Sequence, residues 1–210
     1  MQQRSFSADL ARIHTIISRG LAVSMEHGYA FTRGTPAAGA TSEGYQRYVK
    51  ALLSIIEAHH EGEQRLAWPF LRRFIPEAPY ATLIAQHDEI GEIVKAAERA
   101  LTEGALDVLL VQLTELRAQW QAHIDLEEAT FSATADVLHQ EEHNRLLHRL
   151  ANHSRQHAQP AALVIPFMLY NLSCEERAHL ERALPTTVTR HLQSEAWQEA
   201  WAPMTPFFLP

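Results

Sequence analysis

Six side chains able to hold a metal or move a proton fall on the apolar stripes of four successive amphipathic segments. They are His14, then His59 with Glu63, then His87, then His123 with Glu127. Such stripes ordinarily carry Leu, Ile and Val, and an imidazole or carboxylate buried among them is costly unless a partner compensates it. Six such groups from four segments point to one shared partner, most economically a metal centre. His59 and Glu63 stand four residues apart, as do His123 and Glu127, so each pair lies on one helix face one turn apart. An imidazole supplies one terminal nitrogen, whereas a carboxylate has two oxygens and can bridge two ions. Two bridging glutamates and four terminal histidines suit two iron ions and leave positions for water, O2, NO or peroxide. A closed tetrahedral zinc site needs only four ligands, usually including Cys. Mixed nitrogen and oxygen donors with open positions favour iron, with manganese and zinc as alternatives.

The elements that must position these groups read as four helices within residues 1–133. The first covers about 7–28, with Leu10, His14, Ile17 and Leu21 on its core face. A loop rich in Gly, Pro and Thr follows. The second covers about 43–73, with Leu52, Ile56, His59, Glu63, Leu66 and Phe70 on one face; Pro69 is predicted to bend or end it. The third carries Leu83, His87, Ile90, Val94 and Leu101 and stops near Gly104; the fourth carries Leu106, Leu109, Leu113, Leu116, Trp120, His123, Glu127 and Phe131. All four recur at i, i+3, i+4, i+7, the period of an amphipathic helix. Short connections after the second and third segments favour antiparallel neighbours, hence an all-α, up-down-up-down four-helix bundle. In that arrangement His14 and His59, and likewise His87 and His123, fall within ~3 Å of one height, less than a turn. All six groups can then converge at one level.

Composition narrows the rest. The chain has 210 residues, 46% hydrophobic and 20% charged, as in ordinary globular proteins. Its net charge of −7 and the lack of a Lys/Arg run argue against nucleic acid as a partner. The single cysteine, Cys174, excludes an intramolecular disulfide and any multi-cysteine metal site. No leader pattern opens the sequence and no apolar run reaches the ~20 residues of a membrane span, so a cytoplasmic setting is expected by default. Residues 134–210 read as a helical extension packing on the bundle rather than a second catalytic domain; its protein partner, if it has one, is unknown. Residues 135–158 are polar and rich in His, 160–171 are apolar, and Ser173 to Glu176 form a capping box that opens a short helix ended by Pro185.

His14 in ARIHTII, His59-His60-Glu61-Gly62-Glu63 followed by LAWPFL, Gln86-His87-Asp88-Glu89-Ile90, and His123-Ile124-Asp125-Leu126-Glu127-Glu128 together resemble the hemerythrin-like, HHE cation-binding family. The resemblance covers about residues 5–133. It implies a four-helix bundle holding a non-haem, oxo- or hydroxo-bridged pair of iron ions that takes a small diatomic or peroxide ligand. The implied role is O2 binding, NO or peroxide chemistry, or iron and redox sensing. One position departs from the pattern. Oxygen-carrying hemerythrins have a second histidine four residues after the one on the third helix, and here that residue is Gly91. His60 is the candidate substitute, its alternative role being an inter-helix hydrogen bond. The loss argues against reversible O2 carriage and for a more open, reactive centre.

Other candidates have plainer explanations. Glu128 follows Glu127 but points ~100° away, so it reads as solvent-facing or as a support to the centre. His27 lies toward the end of the first helix and reads as surface. The pairs His139–His143 and His153–His157 have ligand spacing, but no apolar stripe accompanies them, so solvated faces are expected. Tyr29, Tyr45 and Tyr48 read as core rather than redox tyrosines, and nothing marks Cys174 as a catalytic thiol. A ferritin-like reading would use Glu57–His60 and Glu176–His179. It leaves His14, His87, His123 and Glu127 buried without purpose. Two functional classes therefore stand: a binding or sensing protein for O2, NO or iron, and an enzyme consuming peroxide or NO.

Overall fold

Four long helices carry the four stripes in the computed structural model, which describes residues 6–132 and 134–209. Residues 1–5, part of the stretch read for a leader, lie outside the described residues, as does the side chain of His179. Helix α1 spans Phe6–Thr32 and α2 spans Ser42–Gly62. A π-helical turn, Glu63–Ala67, leads into the short α3, Trp68–Leu71. Helix α4 spans Tyr80–Glu103 and α5 spans Leu106–Phe131. The starts follow from local chemistry. Thr41 caps α2 by accepting the Gly44 amide at 3.0 Å. Gly104 ends α4 in the left-handed conformation (φ 69°), as expected of a glycine at a helix C-terminus.

Two boundaries differ from the sequence reading. Gly28 does not stop α1. It is buried where a Cβ would lie 2.5 Å from Leu110 Cδ2 and from the Tyr45 hydroxyl, so it serves close packing and the helix runs on to Thr32. The second segment is not one α-helix to residue 73. The Trp68 amide bonds to the Glu63 carbonyl, a five-residue step that widens the turn ahead of Pro69.

The long helices pack as a ring, α1 on α2, α2 on α4, α4 on α5 and α5 on α1. Their apolar faces form two clusters with a polar layer between. One contains Ile17, Ile56, Ile90 and Trp120; the other contains Leu10, Ala67, Leu83 and Phe131. On each helix the histidines and glutamates lie between a residue of one cluster and a residue of the other.

Beyond residue 133 the described chain is also helical: α6 Thr134–Val137, α7 Gln140–His157, α8 Ala161–Tyr170, α9 Cys174–Ala183, α10 Thr186–Leu192, α11 Glu195–Trp201 and a 3-10 segment Ala202–Phe207. Ser173 and Glu176 make the expected capping box. Phe167, Met204 and Phe207 are buried with Ile17 and Tyr48 in the larger cluster, and Leu146 joins the smaller. The Tyr48 hydroxyl donates to Asn171 Oδ1 at 2.7 Å, tying α2 to the end of α8. No strand occurs among the described residues, and no helix is long and apolar enough to cross a membrane.

Candidate metal centre

The polar layer is built by α1 (His14), α2 (His59, His60), the π turn (Glu63), α4 (His87) and α5 (His123, Glu127). Six of these residues are buried, and the His59 side chain keeps only 9% of its surface. Their donor atoms form two groups. His14, His59, Glu63 and Glu127 bring one atom each within 4.8 Å of one another, and so do His60, His87 and His123. The carboxylates link the groups. Glu63 sets Oε1 3.4 Å from His59 Nε2 and Oε2 3.5 Å from His87 Nε2. Glu127 Oε2 lies 3.2 Å from His14 Nε2 and 3.5 Å from His123 Nε2. His87 and His123 approach to 3.1 Å between their Nε2 atoms.

Donors held ~2.0–2.2 Å from a shared cation stand roughly 3–3.5 Å apart, the spacing found here. Nε2 of His14, His59 and His60, both Glu63 oxygens and Glu127 Oε2 are buried and make no hydrogen bond. Buried polar atoms are normally satisfied. These six face one another, most at ion-pair distances, without well-formed hydrogen bonds, and cations between them would satisfy them all. The residues present fit a pair of metal ions.

The electrostatics agree. Burial, reinforced by neighbouring histidines, holds His59 and His60 well below the ordinary imidazole range and brings His87 down to about 2. These rings are neutral, as ligands must be. Burial and the facing Glu127 carboxylate raise Glu63 well above the usual carboxylate range. Burial would raise Glu127 too, but His123 and His14 outweigh it and hold Glu127 well below that range. Burial thus disfavours charge on Glu63, while the histidines favour charge on Glu127.

Surrounding residues orient the donors, a recurrent property of metal sites. His14 Nδ1 bonds to Glu128 Oε1 at 2.8 Å, so Glu128, 44% exposed on its side chain, both faces solvent and supports the centre. Gln86 Oε1 lies 3.2 Å from His123 Nδ1. The Trp68 indole donates to Glu127 Oε1 at 3.1 Å and stacks on His87 with ring centres 4.4 Å apart. Trp120 meets His14 edge-on at 5.4 Å. Sequence reasoning missed Trp68 and Gln86, whose contacts cross between helices. The π turn brings Trp68 in: without its extra residue the helix face after Glu63 would be rotated.

Two hollows reach the layer. A cavity of about 240 Å³, mostly apolar, touches His59 and Glu63 and is walled on its far side by Leu147, Leu150 and Met168 of the extension. An open cleft of about 650 Å³ reaches His60 and His87. Gly91 lines that cleft, and a Cβ there would meet nothing within 4 Å. His60 is 7% exposed and stacks on His87 at 3.8 Å. The structure thus brings His60 into the group that lacks a side chain at Gly91.

Other sequence readings fare differently. Tyr45 and Tyr48 are core, while Tyr29 is 40% exposed. His27 is partly covered, 4.8 Å from the Phe207 ring. Glu57 is exposed and Glu176 is engaged by Ser173, so the ferritin-like arrangement does not form around them. The solvated reading of the later histidine pairs holds for His139 and His157, which are exposed, and is corrected for His143 (3% exposed) and His153 (8%). The stripe on α7 is His143, Leu146, Leu147, Leu150 and His153, and two histidines stand where hydrocarbon was sought.

A family model described as the hemerythrin HHE cation binding domain matches residues 7–135. No curated protein and no solved structure matches the chain.

Proposed function

Because the chain belongs to the hemerythrin HHE cation-binding family, we propose that it is a non-haem di-iron protein that binds or senses O2, NO or iron. The proposed bundle is residues 1–133, up-down-up-down, with 134–210 as the extension that walls it. The alternation supports this: α1 and α4 run from the Leu10–Leu83 cluster toward the Ile17–Ile90 cluster, while α2 and α5 run the other way. His14 and His59 would hold one iron and His60, His87 and His123 the other, and Glu63 and Glu127, each near histidines of both groups, would serve both. Manganese or zinc would be accepted by the same donors. When bound, an oxo- or hydroxo-bridged iron pair supplies a site for O2, NO or peroxide.

The chain's own residues set the terms. Glu63 offers one oxygen to each side, so its loss undoes both positions. The Trp68 indole donates to Glu127 Oε1 and so orients the carboxylate with Oε2 toward His14 and His123. Trp68 and Trp120, both buried, pack against the His87 and His14 rings. The apolar cavity beside His59 and Glu63 admits small uncharged molecules in preference to ions. A reducing, cytoplasmic setting suits this chemistry and the free, exposed Cys174. Gly91 favours the second reading, an enzyme consuming peroxide or NO, because the cleft beside it leaves room for a reactant at the His60–His87 side.

The observation that carries the proposal is the convergence of six buried donor atoms without hydrogen bonds. Its test is metal analysis and ultraviolet–visible spectroscopy of protein produced with iron. About two irons per chain and near-ultraviolet absorption are expected, both lost in Glu63→Ala/Glu127→Ala. Stoichiometric iron retained by that variant refutes the ligand assignment.

A further inference from the structure

Outside the central layer, α7 lays two histidines against Glu61 of α2. Glu61 Oε2 lies 3.5 Å from His153 Nε2 and 3.8 Å from His157 Nε2, and the three donor atoms fall within 4.8 Å of one another. We propose that Glu61, His153 and His157 form a separate site for one divalent transition ion of the zinc type. It takes two imidazole nitrogens and one carboxylate oxygen from the protein and leaves a fourth position to water.

Each donor is prepared for this. His157 bonds through Nδ1 to the His153 carbonyl at 2.9 Å, so Nε2 carries the lone pair. His153 bonds to the backbone of Ala58, and its Nε2 is buried with no hydrogen-bond partner although the residue is only 8% exposed. Arg65 takes Glu61 Oε1 at 2.8 Å, which turns Oε2 to the rings. Tetrahedral ligands ~2.1 Å from zinc stand roughly 3.4 Å apart, so the 3.5 and 3.8 Å separations close onto an ion with small side-chain shifts. The i, i+4 pair supplies two ligands from one helix face, and the third comes from another helix.

The backbone is adapted to the contact. Gly62 is the seat of α7: a Cβ there would lie 3.2 Å from His153 Cδ2. None of the three residues is among the proposed ligands of the central pair, yet Glu61 and His157 line the cleft that reaches His60 and His87. An ion at this mouth would clip the extension to the bundle.

The probe is Zn2+, titrated into the full chain whose centre has first been loaded with iron, with both metals counted after dialysis. The wild-type chain is expected to retain one zinc beyond its iron. His157→Gln, at a side chain 37% exposed and therefore safe for folding, should weaken zinc binding at least ~10-fold. Glu61→Gln should weaken it similarly, and His153→Gln/His157→Gln should retain none. Iron content should stay constant throughout. A chain that holds no iron still yields the zinc difference, so the two proposals fail separately. Zinc should also slow amide exchange in α7 of the wild type but not of His157→Gln, because the ion joins α7 to α2. Equal zinc content and affinity in wild type and His157→Gln overturns the site.

Discussion

Gly91 and His60 line one cleft, and their exchange of roles can be tested residue by residue. With a bare backbone at 91, the group His60, His87, His123 depends on His60 for its third nitrogen. His60→Ala should keep metal, through the two carboxylates and the remaining histidines, but weaken it by about tenfold or more and speed its oxidation. Gly91→His has room for its Cβ, which meets nothing within 4 Å, and the ring would extend into the open cleft. Placed in the His60→Ala background, it should recover affinity and slow oxidation. Metal titration and stopped-flow absorbance follow both. A His60→Ala protein indistinguishable from wild type would remove His60 from the ligand set. A long-lived, reversible oxygenated form of the wild type would restore the carrier reading that Gly91 argues against.

Elements decide which residues meet. The π turn lets Glu63 stay in register with His59 while carrying Trp68 inward to Glu127. The 3-10 segment closes the opposite end of the bundle, and it does so through Gly44. A Cβ at 44 would stand 1.9 Å from the Pro203 carbonyl oxygen, a backbone atom that cannot swing aside, and 3.2 Å from Phe207. Gly44→Ala should therefore lift this segment and loosen Met204 and Phe207 from the core. A loss of ~1–3 kcal/mol in denaturant unfolding is expected, in the range of overpacked cores. Metal content should be unchanged, because His59 lies about 22 Å further along α2. Unaltered stability would mean that the segment does not dock as described.

For the whole molecule, the central layer makes metal-free stability depend on pH. His59, His60 and His87 have folded-state values below their unfolded ~6.5, so the unfolded chain binds more protons as pH falls through 6.5 and stability is lost there. Glu63 acts oppositely: its raised value stabilises the fold at low pH, and that contribution fades as pH rises through the folded value. Three histidines outweigh one glutamate, so the unfolded chain binds more protons between pH 6 and 5, and metal-free protein should lose stability as pH falls through that window. Iron should raise the melting temperature at pH 7, and that gain should shrink below about pH 6 as protons compete for the rings. A melting temperature flat from pH 7 to 5 without metal would contradict neutral, buried histidines.

The sequence alone determined the four stripes, the residues that interrupt them and the common height at which they meet. Helix period and segment length are local properties, and a His or Glu on an apolar face is legible wherever it stands. It also carried the family motif and the absence of a side chain at Gly91. Tertiary structure alone decided what the neighbours do. Whether His60 turns toward His87 or toward solvent depends on how α2 rolls against α4. Trp68 reaches Glu127 through a π turn that no residue pattern announced, and Glu128 meets His14 across 114 positions of chain. The α7 stripe stayed hidden because its end members are histidines, which count as buried only once α2 offers Gly62 and Glu61 beneath them. Those partners are far apart along the chain and close only after packing, where the cost of burying a polar atom is met by whatever lies opposite.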